Sequence, residues 1–267
     1  MTQKEIILAE EAESPDSTFA DSIRTEEYTA FYFEKCIELH EGNHAIIYPD
    51  KITNLAKVLD EIRDIYAKIN RKAAIFHPLD EKYYNYFEEN RNIIEKCGWE
   101  ITLNEDYQFM TLSGENTIKR KNSIDYLDIR LLDKWDERIG TDIIIPSEEY
   151  WELESTKKFA DNILNKNKKN NFLFVGYINE NGREKAVIYS TIHKSYKYDC
   201  VGFNYILCSK DYRGRGYGSE MISYIADFCR DNNFNNCFQW AGPSEHIVRR
   251  AGFRDIFKAR SGRINLK

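Results

Sequence analysis

The sequence is short of several features that would assign a protein to a class at once. It has thirteen glycines in 267 residues, so three glycines within five residues need a reason beyond an ordinary turn. No apolar run approaches the length of about eighteen residues that a membrane-spanning helix requires. None of the six cysteines forms a C-x-x-C pair, which favours reduced, packed thiols over a disulfide framework or a metal site.

The amino terminus has no marks of a secretory signal, because MTQKEIILAEEAESPDS is acidic and short of apolar residues. With 42% hydrophobic residues, the chain can bury one large core or two modest ones. We therefore expect a cytoplasmic globular protein that does not enter a membrane.

Charge is distributed unevenly along the chain. Residues 1–120 carry 14 Lys and Arg against 24 Asp and Glu, a net charge of −10, and residues 121–267 carry 24 against 20, a net charge of +4. A small anionic ligand is therefore expected to bind the second half rather than the first. Neither half is basic enough for a broad nucleic-acid surface, so no nucleic-acid partner is expected.

Two similar successions of elements follow one another. The polar stretch SGENTIKRKNS (113–123) marks a boundary near residue 120, which predicts domains at 1–120 and 121–267. In each half the apolar pattern predicts a strand, a helix, a strand ending near a proline, a helix, and a glycine followed by an aromatic residue. The result is an α/β fold with a mixed sheet, and the repeated order favours an internal duplication, although such alternation is common in α/β proteins.

Two details of the first half bear on its structure. The stretch YYNYFEENRNIIEKCGW is predicted as one helix that stops at Gly98, before Trp99. Residues 100–112 are predicted as two strand runs separated by a charged turn. Gly252-Phe253 takes the place of Gly98-Trp99 in the second half.

The three glycines lie in RGRGYG (213–218), between the predicted strand FNYILC (203–208) and the start of a helix. Glycine permits positive φ, so consecutive N–H groups can turn inward as a nest at the positive end of the helix. This predicts a phosphate site, and the alternative is a surface loop that only connects the two elements. A nucleotide P-loop would need Lys and Ser or Thr after the last glycine, and a dinucleotide fingerprint would need a glycine where Ser219 stands.

The stretch 213–218 matches the pattern [Q/R]-x-x-G-x-[G/A] of the GNAT superfamily of N-acetyltransferases. Because of this match, residues 125–264 resemble that superfamily. The order of predicted elements and Ala251-Gly252-Phe253 are also similar to those of the superfamily. The resemblance implies an acyl-CoA N-acyltransferase fold in which the loop backbone holds the pyrophosphate of acetyl-CoA and the preceding strand pairs with its pantetheine arm. The coenzyme-binding residues that it implies are Leu207, Cys208, Ser209, Arg213, Gly214, Arg215, Gly216, Tyr217, Gly218 and Ser219.

The first half has no such loop, because PDKITN (49–54) joins strand to helix without a glycine. It resembles a degenerate GNAT-like half that has lost its cofactor site, which would make the chain two tandem GNAT-like domains. The alternative is an unrelated α/β cap domain. Both interpretations make the first half non-catalytic.

Acetyl transfer needs a donor for the carbonyl oxyanion, a base for the acceptor ammonium and a proton for the leaving thiolate. The resemblance implies the backbone N–H of Cys208 as the oxyanion donor. The usual acid of the superfamily is a tyrosine at the position of Val248, and valine has no proton to give. The candidates left by the sequence are Tyr212, Tyr217 and Tyr205 for the acid, His246 for the acid or the base, and His193 and Asp199 as bases acting through water.

The expected function is an N-acetyltransferase that moves the acetyl group of acetyl-CoA to a primary amine of a small molecule or amino acid by direct attack in a ternary complex. A non-catalytic module that binds acyl-CoA is one alternative, which the missing tyrosine favours. A second alternative is an acyl- or aminoacyl-transferring relative that uses another carrier. Such a carrier would need a basic groove, and the acidic first half argues against one. The chain could be a monomer or a homodimer.

Overall fold

The computed structural model describes the whole chain apart from residues 19, 38, 41, 80, 113–125, 166–169, 236 and 241–244. The predicted boundary near residue 120 therefore lies outside the described residues. The chain divides into two compact units, which are residues 1–10 with 108–257 (unit 1) and residues 11–107 with 258–267 (unit 2). In the part that is described, no helix is long and apolar enough to cross a membrane.

The predicted mixed α/β architecture is confirmed. Helices α1 to α7 are Gln3–Thr18, Leu55–Lys68, Glu81–Glu89, Arg91–Lys96, Tyr150–Asn165, Tyr217–Asp231 and Glu245–Arg250. Strands β1 to β11 are Asp21–Arg24, Tyr28–Tyr32, Ala45–Ile47, Ala74–Leu79, Trp99–Leu112, Asp128–Leu132, Asn171–Glu180, Arg183–Lys194, Val201–Cys208, Cys237–Trp240 and Arg254–Leu266. A π-helical segment covers Ile139–Ile144, and 3-10 turns cover Glu34–Cys36, Pro49–Lys51 and Lys210–Tyr212.

Unit 1 is built on a mixed sheet in the order β5-β10-β9-β8-β7-β6, to which β5 contributes its last residues, 109–112. β9 and β10 are parallel, and the other neighbours are antiparallel. Residues 171–178 of β7 are all buried, because apolar segments pack on both faces of the sheet. On one face α6 and α7 pack through residues such as Met221, Ile225 and Val248, and on the other lie the π-helical segment and α5.

Unit 2 has a sheet in the order β1-β2-β3-β4-β11-β5, in which β3 and β4 are parallel. Helix α2 covers it with Val58, Leu59, Ile62 and Tyr66, which are buried. Their helical spacing gives the single apolar stripe that a surface helix needs. The Tyr66 hydroxyl donates to the carbonyl oxygen of Phe31 at 2.7 Å and so ties α2 to β2.

The connection from β3 to α2 in unit 2 differs from a glycine turn. A 3-10 turn, Pro49–Lys51, leads to Asn54, whose side chain accepts from the N–H of Lys57 at 3.2 Å and caps α2. No residue from 48 to 55 has a positive φ. The cap takes one of the helix N–H groups that a nest would present.

Both units contain a helix that ends at a glycine followed by a buried aromatic residue. Gly98 follows α4 with φ +84°, and Gly252 follows α7 with φ +102°. In this region glycine closes a helix without strain. Trp99 and Phe253 behind them are fully buried. This repeated detail agrees with the duplication predicted from the element order.

Strand β5 corrects the prediction of two strand runs separated by a turn, because Trp99–Leu112 is one strand. Its first part belongs to unit 2, whereas residues 109–112 pair with β10 in unit 1. Strand β11 is shared in the same way, since its residues 260–265 pair with β4 in unit 2. Ladder partners in both parts of β5 hold its charged middle extended, which a local turn preference does not overcome.

The helix predicted over YYNYFEENRNIIEKCGW is divided into α3 and α4. Asn90 lies between them with φ −100° and ψ 8°. Its backbone N–H and its side-chain amide both donate to the carbonyl oxygen of Tyr86, at 3.1 and 2.9 Å. An asparagine side chain that competes for a helical carbonyl in this way interrupts the helix.

Candidate active site

The glycine stretch forms the turn that leads from β9 into α6. After β9 ends at Cys208, the chain passes through a 3-10 turn and α6 begins at Tyr217. Gly214 and Gly216 have φ values of +80° and +88°, in the left-handed region that other residues avoid. Gly216 is also the N-cap of α6. The glycines are therefore required by the backbone path of this turn.

The backbone N–H groups of the turn precede the first helical hydrogen bond of α6. The first helical bond of α6 runs from the N–H of Glu220 to the carbonyl oxygen of Gly216, at 3.1 Å. Among the described residues, no backbone hydrogen bond uses the N–H of residues 214–219. Successive N–H groups at a helix N-terminus carry partial positive charge and form a cradle for an anion.

Two arginines lie beside this cradle. The Nε of Arg213 donates to the carbonyl oxygen of Cys208 at 3.1 Å. The guanidinium of Arg215 lies 4.7 Å from the centre of the Tyr212 ring and donates to the carbonyl oxygen of Asp211 at 3.1 Å. Both arginines are exposed. They add positive charge where the amides already favour an anion.

Tyr217, predicted in the coenzyme-binding set, directs its side chain into the core of unit 1. Its ring meets that of Tyr126 edge-on at 5.9 Å. Burial and the hydrogen bond with Tyr126 together raise the pKa of Tyr217 to about 12, against the lowering effect of Arg215. Only the backbone of Tyr217 is therefore available to a ligand in the cradle.

β9 and β10 are paired over a short stretch, after which β9 has an open edge. The two register pairs are Val201 with Cys237 and Gly202 with Phe238. From residue 203 to 208, no described strand pairs with β9 on that side. A strand edge that no neighbouring strand covers can serve as a template for an extended ligand.

The ladder with β8 sets the direction of the Cys208 amide. Cys208 lies opposite Ile188, and the N–H of the next residue, Ser209, donates to the carbonyl oxygen of Val187 at 2.9 Å. Successive N–H groups of an antiparallel strand alternate in direction. The N–H of Cys208 therefore points away from β8, toward the open edge.

The Cys208 thiol is in a different situation from its amide. The side chain is half-buried, and burial raises the pKa of the thiol to about 11, against the lowering effect of Arg213 and Arg215. A thiol is nucleophilic as the thiolate. Near neutral pH this sulfur is therefore a poor nucleophile.

β9 contains a bulge beside His193. The pairs on either side of the bulge are Thr191 with Tyr205 and Ile192 with Phe203. This register leaves Asn204 without an opposite residue. The Nδ1 of His193 lies 2.5 Å from the Oδ1 of Asn204. A side chain at Gly202, directly opposite His193, would place its Cβ 2.6 Å from the His193 ring, so glycine makes room for the imidazole.

The two candidates for a base that acts through water, His193 and Asp199, have different surroundings. His193 is 2% exposed, and its Nε2 lies 2.9 Å from the Oε1 of Glu10 on α1. The other carboxylate oxygen of Glu10 accepts from the hydroxyl of Ser195. Asp199 is exposed and accepts from Asn235 at 2.9 Å. Only His193 is thus placed in a buried polar cluster next to β9.

A row of polar residues continues from His193 along β8. Tyr189, Thr191 and His193 alternate in sequence, which places them on one face of the strand, and all three are buried. The hydroxyl of Tyr189 donates to the Oε2 of Glu152 on α5 at 2.9 Å and lies 3.2 Å from the hydroxyl of Thr156. Three buried polar side chains of β8 therefore lie on the same face of this strand.

The candidate acids lie apart from this row. Val248 is fully buried between α6 and α7. His246 is exposed on α7. The hydroxyl of Tyr212 donates to Glu180 at 2.6 Å and accepts from Lys185 at 3.0 Å, so it is held at the hairpin of β7 and β8.

Three residues of this region were not predicted from the sequence, namely Glu10, Asn204 and Glu152. Asn204 is the one polar side chain within the apolar strand FNYILC, and that was a usable signal. Glu10 lies in an acidic segment for which no helix was predicted. No group of three or more His, Cys, Asp or Glu side chains in the described part of the chain could hold a metal ion.

The chain has recognisable relatives in fold. The profile of the Acetyltransferase (GNAT) family matches residues 135–253. No curated protein sequence matches the chain. Among solved structures, the chain is similar to a GCN5-related N-acetyltransferase from Kribbella flavida, with a TM-score of 0.64 and 9% identity over 99% of this chain and 95% of that one.

Two further solved structures share the fold. A putative acetyltransferase of the GNAT family from Novosphingobium aromaticivorans has a TM-score of 0.54 and 10% identity over 100% of both chains. A tandem GNAT protein from the clavulanic acid biosynthesis pathway has a TM-score of 0.58 and 7% identity over 84% of this chain and 75% of that one. At these identities the similarity concerns the fold alone. Residues 135–253 thus match the GNAT acetyltransferase family, in a chain whose fold is similar to that of a tandem GNAT protein over most of its length.

Proposed function

We propose that the protein is an N-acetyltransferase that transfers the acetyl group of acetyl-CoA to a primary amine of a small molecule or amino acid. The observation that carries the proposal is the run of N–H groups at residues 214–219 that donate to no backbone carbonyl among the described residues, at the start of α6 and next to the open edge of β9. The family of residues 135–253 supports acyl transfer from an acyl-CoA.

The amide cradle is the proposed site of the coenzyme pyrophosphate. Its N–H groups would bind phosphate oxygens directly, and Arg213 and Arg215 would add positive charge. The pantetheine arm would then pair with the open edge at the end of β9, along residues 207–209. Cradle and edge follow one another in the chain, so one extended ligand can occupy both.

Cys208 would act through its amide. Its N–H points away from β8 to the open edge, where it can donate to the thioester carbonyl as negative charge develops on the oxygen. The raised pKa of the thiol, about 11, argues against an acyl-enzyme on sulfur. Direct attack in a ternary complex is therefore the proposed course.

His193 is the proposed base. A primary amine with a pKa of roughly 10.4 is an ammonium at neutral pH and must lose a proton before it attacks. The Nδ1 of His193 faces Asn204 on β9, on the side of the open edge, so a water molecule could carry the proton to it.

The protons balance in the following way. The ammonium gives one proton to His193, and the amine nitrogen then forms its bond to the thioester carbon as the carbon–sulfur bond breaks. The nitrogen loses a second proton, the coenzyme A thiolate takes one up, and His193 returns its own proton to solvent. The donor to the thiolate has no residue assigned, because Val248 is apolar and Tyr212 is bonded to Glu180 and Lys185.

That missing donor supports a second candidate function, a module that binds acyl-CoA without turning it over. It shares the cradle and the edge of β9 but needs neither His193 nor an acceptor. The two functions differ in one measurable quantity, the release of free coenzyme A thiol when an amine is added.

The test introduces a negative charge into the cradle without harming the helix. We expect the Ser219→Asp variant to bind acetyl-CoA at least about 10²-fold more weakly, because its carboxylate would repel the pyrophosphate, while an acid in the first turn suits the helix dipole. Ser223→Asp, one turn further along α6, is the matched control and should bind like the wild type.

Calorimetry with acetyl-CoA measures the binding, and a thiol-release assay over a panel of primary amines measures the transfer. Equal binding by wild type and Ser219→Asp would rule out the cradle as the pyrophosphate site. Binding that Ser219→Asp abolishes, with no thiol release for any amine, would leave the acyl-CoA-binding module as the function.

A further inference from the structure

A buried carboxylate from the amino-terminal helix meets the proposed base. Glu10 is 3% exposed and His193 is 2% exposed, and they are 183 residues apart in sequence. Burial alone would raise the pKa of Glu10, but the hydrogen bonds from His193 and Ser195 and the charges of His193 and Lys197 hold it below its ordinary value. Glu10 is therefore an ionised carboxylate inside unit 1.

The carboxylate decides which ring nitrogen of His193 carries a proton. An ionised carboxylate only accepts hydrogen bonds, so the Nε2 of His193, 2.9 Å from the Oε1 of Glu10, must be an N–H donor. The Nδ1 is then the nitrogen whose protonation can change. It is directed at Asn204 on β9, 2.5 Å away.

The Asn204 amide is compatible with both protonation states of Nδ1. Its Oδ1 can accept from a protonated Nδ1, and its buried Nδ2 has no partner among the residues that the structure describes. The amide turned by about 180° would place the Nδ2 donor against the lone pair of an unprotonated Nδ1. In both arrangements Nε2 keeps its proton because Glu10 is its partner.

The ring itself is held in place by packing as well. Gly202 lies opposite His193, and a Cβ there would approach the ring to 2.6 Å. The hydroxyl of Ser195 binds the second oxygen of Glu10 and fixes the plane of the carboxylate. One contact from Glu10, one from Asn204 and the close approach of Gly202 thus hold the imidazole in this orientation.

We propose that Glu10 is a positioning residue, which holds His193 in the tautomer with the proton on Nε2 and turns Nδ1 toward β9 as the proton acceptor. This inference rests on the proposed function, in which His193 takes the proton of the acceptor ammonium. Glu10 itself does not touch the reacting atoms. It stabilises the imidazolium that forms when Nδ1 is protonated, because an anion beside a cation in a buried site lowers its free energy.

The first test is spectroscopic and needs no substrate. In the full-length wild-type protein, nitrogen-15 spectra should show a slowly exchanging, downfield imidazole proton bonded to the Nε2 of His193, identified by its loss in His193→Gln. The signal should persist in Ser195→Ala, which removes the other contact of Glu10. It should move upfield and exchange rapidly in Glu10→Ala.

The second test is kinetic. Glu10→Ala should lower kcat by about 10²-fold or more, within the range that general-base catalysis supplies, while KM for acetyl-CoA stays within about twofold because the cradle is untouched. Glu10→Gln keeps the length of the side chain and an acceptor atom but not the charge. It is the variant to use should Glu10→Ala not fold, and its Nε2 proton should also lie upfield of the wild-type position.

The outcomes separate the two proposals. A wild-type proton on Nδ1 with a bare Nε2, or a downfield signal unchanged in Glu10→Ala and Glu10→Gln, overturns the role of Glu10 whatever the activity. The expected spectra without thiol release for any amine support the placement by Glu10 and count against the proposed function instead.

Discussion

At the scale of single residues, Cys208 illustrates how one position can offer two kinds of chemistry of which the environment allows one. Its amide faces the open edge of β9, whereas its thiol is half-buried with a pKa raised to about 11. At pH 8 the thiolate is therefore roughly one part in a thousand. The group of Cys208 that can act is its backbone N–H, and a sequence motif does not show the direction in which this group points.

This leads to a prediction about Cys208. Cys208→Ala should keep its acetyl-transfer rate within about threefold of the wild type, because alanine retains the N–H. Cys208→Pro removes that N–H without removing a ladder bond to β8, and should lose transfer by about 10²-fold or more. Steady-state thiol release measures both variants.

The pH dependence of alkylation provides a check on the same residue. Because burial raises the thiol pKa, modification of Cys208 by iodoacetamide should be slow at pH 7 and should accelerate as the pH rises toward about 11. Rapid alkylation at pH 7, together with loss of transfer in Cys208→Ala, would show that the sulfur takes part after all.

At the scale of secondary-structure elements, the bulge in β9 and the glycine beside it place the imidazole. Gly202 faces His193 across the ladder, and a methyl group there would meet the ring at 2.6 Å and the Phe238 ring at 3.1 Å. The bulge turns Asn204 to the same ring. A strand with regular alternation and an ordinary side chain at 202 would have no room for this arrangement.

We expect Gly202→Ala to lower the free energy of unfolding by about 1–3 kcal/mol, as overpacking in a well-packed site does. It should also reduce transfer, because His193 must move. In a His193→Ala background the same substitution should cost less, since the closest atom is gone. Chemical denaturation of the four proteins of this cycle measures the coupling, and equal costs in both backgrounds would contradict the contact.

At the scale of the whole molecule, the two units are not continuous stretches of sequence. The end of β5 pairs in unit 1, and residues 258–267 belong to unit 2, where Ile264 is fully buried in the core with Leu59 and Ile62 of α2. Each unit therefore depends on a strand segment that its own half of the chain does not provide.

A pair of matched substitutions tests this exchange. Ile264→Ala should destabilise unit 2 by about 2–4 kcal/mol and accelerate amide hydrogen exchange in α2, about 200 residues earlier in the chain. Ile225→Ala, at a fully buried position on α6, should accelerate exchange in α6 of unit 1 by a similar amount. Faster exchange in α6 but not in α2 after Ile264→Ala would contradict the assignment of residues 258–267 to unit 2.

Local patterns in the sequence were enough to predict the glycine turn and several single elements. Residues 213–218 and the helix behind them are contiguous, so the glycine turn and its place after a strand could be predicted from spacing alone. The α2 stripe and the glycines at 98 and 252 were predictable for the same reason. Each is a local conformational requirement of the backbone or a periodicity within one element.

Other features depend on contacts between segments that are far apart in the chain. The contact of Glu10 with His193 joins residues 183 positions apart, and neither side chain carries a local mark of the other. β5 is one strand because partners in two units hold its two parts, which outweighs the turn preference of its charged middle. Contacts of this kind arise from packing between distant segments, so the base cluster and the exchanged strands become visible only when the chain is folded.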